Sequence, residues 1–128
     1  MSLTVALIAT LALAAPAEGP RDAAGWRERS DALYSQGDFH GALEAAQQAQ
    51  SLDRSDPWNR YAWIRALAAV DPEAARRALP GLQDPAAVQA LTAEDRARLD
   101  TATGYLALDL GDEPLAATHF EAVPPATP

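Results

Sequence analysis

The sequence predicts an all-α fold built from about three stacked helical hairpins, and three observations lead there. From residue 23 onward no stretch alternates apolar and polar side chains for long, and β-branched residues are scarce, which argues against strands. Asp56-Pro57, Asp71-Pro72 and Asp84-Pro85 each set a capping acceptor before a proline whose fixed φ suits a first helical turn. Asp38, Asp71 and Asp112 recur 33 and 41 residues apart, each with alanine four residues on and an apolar residue eight on. Residues four apart share a helix face, so Ala42, Ala75 and Ala116 mark seams where a second backbone can approach closely.

Composition supports this reading and removes several functions. The 128 residues carry a formal charge of −8, which suits one small domain or a short repeat array. Half of the 62 apolar residues are alanine, so the interior has to come from closely packed helices instead of large side chains. Cysteine is absent, which excludes disulfides, thiolate metal sites and thiol nucleophiles. All ten basic residues are arginine, against 18 carboxylates, and the resulting field repels phosphate; nucleic acid is not expected as a partner.

In chain order, residues 1–17 read as a signal peptide. Leu3 to Ala15 carries no charge; as a helix it reaches about 20 Å, short of a ~30 Å hydrocarbon core. Small-x-small cleavage patterns occur at Ala12-Leu13-Ala14 and Ala15-Pro16-Ala17, so the mature chain is expected to be periplasmic or secreted with no membrane span. The n-region lacks Lys and Arg, and an apolar N-terminal helix packed on the domain is the other reading of this segment. Residues 18–22 form a linker and residues 23–123 the helical domain. Caps and period place helices near 23–36, 38–52, 57–70, 72–79, 85–91, 93–110 and 112–123. Thr92 opens a capping-box-like start, while Gly37-Asp38 and Gly111-Asp112 each pair a helix stop with the next start. The longer second repeat interval falls around Pro80 to Asp84 and reads as an insertion between repeats. Residues 124–128, Pro-Pro-Ala-Thr-Pro, read as an extended tail or linker.

A hairpin of about this length, with Trp, then Gly-Asp-aromatic at the turn, then an alanine-lined second helix, resembles the tetratricopeptide repeat. The segment from Trp26 to Asp56 carries the likeness best: Trp26, Ser30, Leu33, Gly37-Asp38-Phe39, Ala42, Ala49 and Leu52. Arg29 and Ala46 depart from the pattern. The second unit, from Pro57 to Leu79, offers Trp63 and Leu67 but has Ile64 where a small residue is expected; the third offers Gly104, Gly111-Asp112, Ala116 and Phe120 without the tryptophan. The resemblance implies a right-handed superhelical array of about three hairpins. Trp26, Leu33, Phe39, Leu43, Trp63, Leu67, Leu99, Leu106 and Phe120 are expected to share its continuous core.

No sequence motif points to chemistry. His-Glu-x-x-His, Gly-x-Ser-x-Gly, P-loop and Gly-x-Gly-x-x-Gly patterns are all missing, and carboxylate pairs such as Asp53 with Asp56 coincide with helix ends where capping explains them. His40 and His119 are expected to be solvated, and Arg76-Arg77 and Arg96 with Arg98 to form exposed ion pairs. No enzyme activity, metal or cofactor is expected.

The resemblance implies that the first helix of each hairpin lines a concave face that binds a protein or peptide. Positions spaced to share that side are Arg27, Asp31 and Tyr34, then Trp58, Tyr61 and Arg65, then Thr101, Tyr105 and Leu108. Tyr, Trp and Arg dominate interface energetics, which places Tyr61 and Arg65 near the centre of the expected groove. Tyr61 and Tyr105 have a second reading as fillers between helices, because groove and core differ by one helix rotation of about 100°. Asp31 departs from the uncharged polar residue with which similar domains clamp a C-terminal carboxylate. A rival role is that of an accessory subunit of a cell-envelope assembly, docking through the apolar residues Leu115, Phe120 and Val123 of its last helix.

Overall fold

The computed structural model describes residues 19–82 and 84–125. The expected signal peptide and the last three residues of the expected tail lie outside them. Among the described residues there are seven α-helices and no strand: α1 (Ala23–Ser35), α2 (Phe39–Leu52), α3 (Pro57–Val70), α4 (Pro72–Ala78), α5 (Pro85–Gln89), α6 (Ala93–Asp109) and α7 (Glu113–Glu121). A 3₁₀ turn, Leu79–Leu82, follows α4. No helix among the described residues is long and apolar enough to cross a membrane.

The helix ends form where short-range chemistry sets them. Asp38, Asp71 and Asp112 each use a side-chain oxygen to accept the backbone N–H three residues ahead, at Gly41, Ala74 and Leu115. Asp56 caps α3 through Trp58 N–H, Thr92 caps α6 through Asp95 N–H, and Asp22 caps α1 through Gly25 N–H. Asp84 holds the N-cap position of α5 without a side-chain bond. Gly37 and Gly111 have φ of 84° and 79°, the left-handed conformation that ends a helix. Each makes the same pair of bonds: Asp38 N–H to Leu33 O with Gly37 N–H to Tyr34 O, and Asp112 N–H to Ala107 O with Gly111 N–H to Leu108 O. The two turns are therefore one motif used twice. The α3–α4 turn has no glycine; Asp71 closes one helix through its N–H to Leu67 O and caps the next with its side chain.

Packing follows chain order. Helices α1 and α2, α2 and α3, α3 and α4, and α6 and α7 lie side by side, while α1 also meets α3 and α3 meets α6. Small residues set the approach within hairpins. Ser30 is fully buried and its hydroxyl donates to Ala42 O. Gly104 occupies the equivalent place on α6, where a Cβ would stand 2.5 Å from the Phe120 ring. Ala42, Ala75 and Ala116 are all buried, as the seam requires.

The main apolar cluster gathers Ile64, Ala75, Leu79, Leu82, Leu106, Ala107, Leu110 and Ala116, with Trp63, Leu67, Leu115 and Phe120 packed around it. Four expectations change here. Phe39 is not core: it is 37% exposed and meets Tyr34 edge-on. Trp26, Leu33, Leu43 and Trp63 are only partly buried, and the centre falls on Ile64, the residue that departed from the repeat pattern. The insertion around Pro80 contributes to the core through its 3₁₀ turn, which buries Leu82 in the cluster. His119 is buried, 3% exposed, with Nδ1 3.1 Å from Oδ1 of the equally buried Asp100, so this pair joins α6 to α7 out of solvent. Leu115 and Phe120 also face inward, which removes them from an exposed docking face on α7.

Candidate functional site

Five of the nine expected groove residues form one connected structure across α1 and α3. Arg65 of α3 donates from Nη2 to Asp31 of α1 and lays its guanidinium over the Tyr34 ring, 4.4 Å from the centroid. The same guanidinium is 5.7 Å from the Tyr61 ring, and Tyr61 meets Trp58 edge-on at 5.7 Å between centroids. The result is a ladder of Tyr34, Arg65, Tyr61 and Trp58 with one carboxylate at its margin. A cation over an aromatic face contributes about 0.5–2 kcal/mol, rising as water is excluded, so the ladder holds Arg65 in place.

Helical spacing explains why these side chains converge. Tyr34 lies three residues beyond Asp31 on α1, and Arg65 lies four beyond Tyr61 on α3, so each pair shares a face. Close packing of α1 on α3 then brings the two faces together. Tyr61 also packs against the apolar cluster. Its burial raises the phenol's pKa above the ordinary tyrosine value; Arg65 opposes this rise, and the negative charges of Asp109 and Asp31 add to it. A spectrophotometric alkaline titration should therefore show a tyrosine component ionising late, above the ordinary tyrosine value, and Tyr61→Phe should remove that late component. Because the folded-state pKa is raised, the associated stability is present below the ordinary tyrosine pKa and is lost as pH rises through the folded value. A late component that survives Tyr61→Phe would assign it to another tyrosine.

The remaining expected residues play other parts. Arg27 turns away to the start of α3, donating from Nη1 to Asp56 Oδ2 at 2.7 Å and Asn59 Oδ1 at 2.9 Å. It is a tie between hairpins, not a free groove side chain. Thr101 donates to Ala97 O of its own helix. Tyr105 is 61% exposed and meets Phe120 edge-on, so it does not fill the space between helices; Leu108 is also exposed. On α4, Arg76 pairs with Glu73 and also donates from Nε to Leu110 O, 2.6 Å away, at the C-terminus of α6. A cation is favoured at that end of a helix. The exposed pair with Glu73 is the one expected from the sequence, and the bond to Leu110 O is an addition to it.

Sequence reasoning missed Asn59, and it missed Asp109 as a charge acting on Tyr61. Asn59 is fully buried, with Nδ2 donating to Asp53 O and Ala49 O while Oδ1 accepts from Arg27. Nothing in the sequence sets it apart, since it stands next to Arg60 near the start of α3. Among the described residues no three His, Asp or Glu side chains converge as a metal site. Asp100 and His119 have the geometry of a base and its orienting carboxylate, yet both are withdrawn from solvent and present no edge to a substrate. The geometry offers a rigid, half-exposed face of aromatic and guanidinium groups. No protein-family model, curated protein or solved structure matches the chain.

Proposed function

We propose that this chain is a helical-repeat module of tetratricopeptide type that binds a peptide or protein segment along the α1–α3 face and performs no chemistry. The observation that carries this reading is the Tyr34–Arg65–Tyr61–Trp58 ladder, which spans two hairpins and fixes in advance the residue types that anchor interfaces. The recurring Gly-Asp turns, the alanine seam and the bond between Asp31 and Arg65, 34 residues apart, support a repeated hairpin as the structural unit. The uncharged segment Leu3 to Ala15 supports action outside the cytoplasm.

Panning a random peptide library on the purified chain tests the assignment. Selected peptides should lose about thirtyfold or more in affinity when Tyr61→Ala and Arg65→Ala are combined, the loss expected of a central anchor. The double variant has to keep its helical circular dichroism for the comparison to count. Peptides that bind both forms equally would move the binding surface elsewhere.

A further inference from the structure

A second recess lies between α2 and α3, and none of its lining residues belongs to the α1–α3 ladder. It is an open cleft of about 570 Å³ formed by Gln47, Gln48, Gln50 and Ser51 of α2, Arg54 just beyond it, and Arg60 and Trp63 of α3. Helix lengths place it there. α2 has 14 residues, whereas α4, the second helix of the next hairpin, has only 7 and gives way to the 3₁₀ turn. Gly81 in that turn sits close against Arg60; a Cβ there would stand 3.0 Å from Nη2.

The lining is unusual in a chain of charge −8, because among the described residues it contains two arginines and no carboxylate. Neither Arg54 nor Arg60 forms an ion pair with a described residue. The carboxylates nearest in sequence are engaged elsewhere: Asp53 with the hydroxyl and N–H of Ser55, and Asp56 with Arg27 and Trp58 N–H. The Nε of Arg60 is buried and meets no acceptor among the described residues. That nitrogen is closed to a ligand, but a guanidinium with no carboxylate partner still offers a fork that matches one. The glutamine amides and Ser51 each supply both donors and acceptors, which suits hydroxyl groups. Trp63 adds one aromatic surface. The volume falls within the ~300–1,000 Å³ range of small-molecule sites and exceeds what an inorganic ion needs.

We propose that this cleft binds a small polyhydroxylated carboxylate, an acidic sugar of hexuronate type, with Arg60 and Arg54 on the carboxylate and the amides on the hydroxyls. Nuclear magnetic resonance titration of the ¹⁵N-labelled full chain with glucuronate tests it, with glucose, acetate and sulfate as comparison ligands. Glucuronate is expected to give a saturable shift at Trp63 and at the α2 end of the cleft. Glucose and acetate, each carrying half of the recognised chemistry, should bind at least about tenfold more weakly, and Arg60→Gln or Arg54→Gln should weaken glucuronate by about tenfold or more. Arg54 is exposed and outside the core, so its variant decides the matter if Arg60→Gln disturbs folding. Sulfate or acetate shifting the same resonances with the same midpoint would reduce the cleft to a general anion patch and overturn the proposal. So would the absence of a saturable glucuronate shift. Neither result bears on the α1–α3 face, whose test uses different residues and peptides.

Discussion

Ile64→Ala is expected to lower the unfolding free energy by about 2–5 kcal/mol, the range for truncating a fully buried isoleucine. Ile64 has no exposed surface and belongs to the cluster that joins α3, α4, α6 and α7. The flanking core residues Ala75, Ala107 and Ala116 are too short to fill the space that the lost atoms leave, so the cavity persists. Small domains have a net stability of only about 5–15 kcal/mol, and each 1 kcal/mol moves the melting temperature by about 4–8 °C. A melting temperature lowered by about 10–30 °C and a reduced urea midpoint are the expected readings. Trp63→Ala should cost less than complete burial would imply, because part of the indole faces the α2–α3 cleft. An Ile64→Ala protein that melts like the parent would show that this cluster does not hold the hairpins together.

Asn59→Ala is expected to cost about 2–4 kcal/mol although it removes only a small polar side chain. The amide holds three segments at once: Ala49 O in α2, Asp53 O after it, and Arg27 of α1. Its loss strips the donor from a part-buried carbonyl at Asp53 and one acceptor from the Arg27 guanidinium, which then keeps only Asp56. A double-mutant cycle with Arg27→Ala separates the two contributions. Coupling of about 0.5–3 kcal/mol between the two sites is expected for residues in one hydrogen-bonded network. Additive effects would show that Asn59 acts only through the carbonyls of Ala49 and Asp53.

How far the sequence could be read differs between helix ends and helix faces. Asp38, Asp71 and Asp112 mark their helix starts in sequence because a cap bonds to an N–H three residues away and needs nothing else. Gly37 and Gly111 mark the stops for the same reason, since a left-handed residue followed by aspartate is a local event. The face each side chain takes was less legible. Arg27 and Asp31 stand four apart on one helix and look equivalent in a pattern, yet one ties down the start of α3 and the other meets Arg65 in the aromatic ladder. His40, two residues after its N-cap aspartate, is exposed, whereas His119, in the last turn of its helix, lies buried against Asp100.

Residue order along the chain thus sufficed for the all-helical class, the helix boundaries to within about two residues, and the alanine seam, because capping bonds and helical period act over one turn. Packing between hairpins settled the rest: Ile64 instead of Phe39 at the centre, Leu82 inside the cluster, Asn59 and His119 out of water, and a cleft beside a shortened α4. Each of these depends on a neighbour about 10 or more residues away, and a rotation of roughly 100° about a helix axis exchanges solvent for core without altering any local signal.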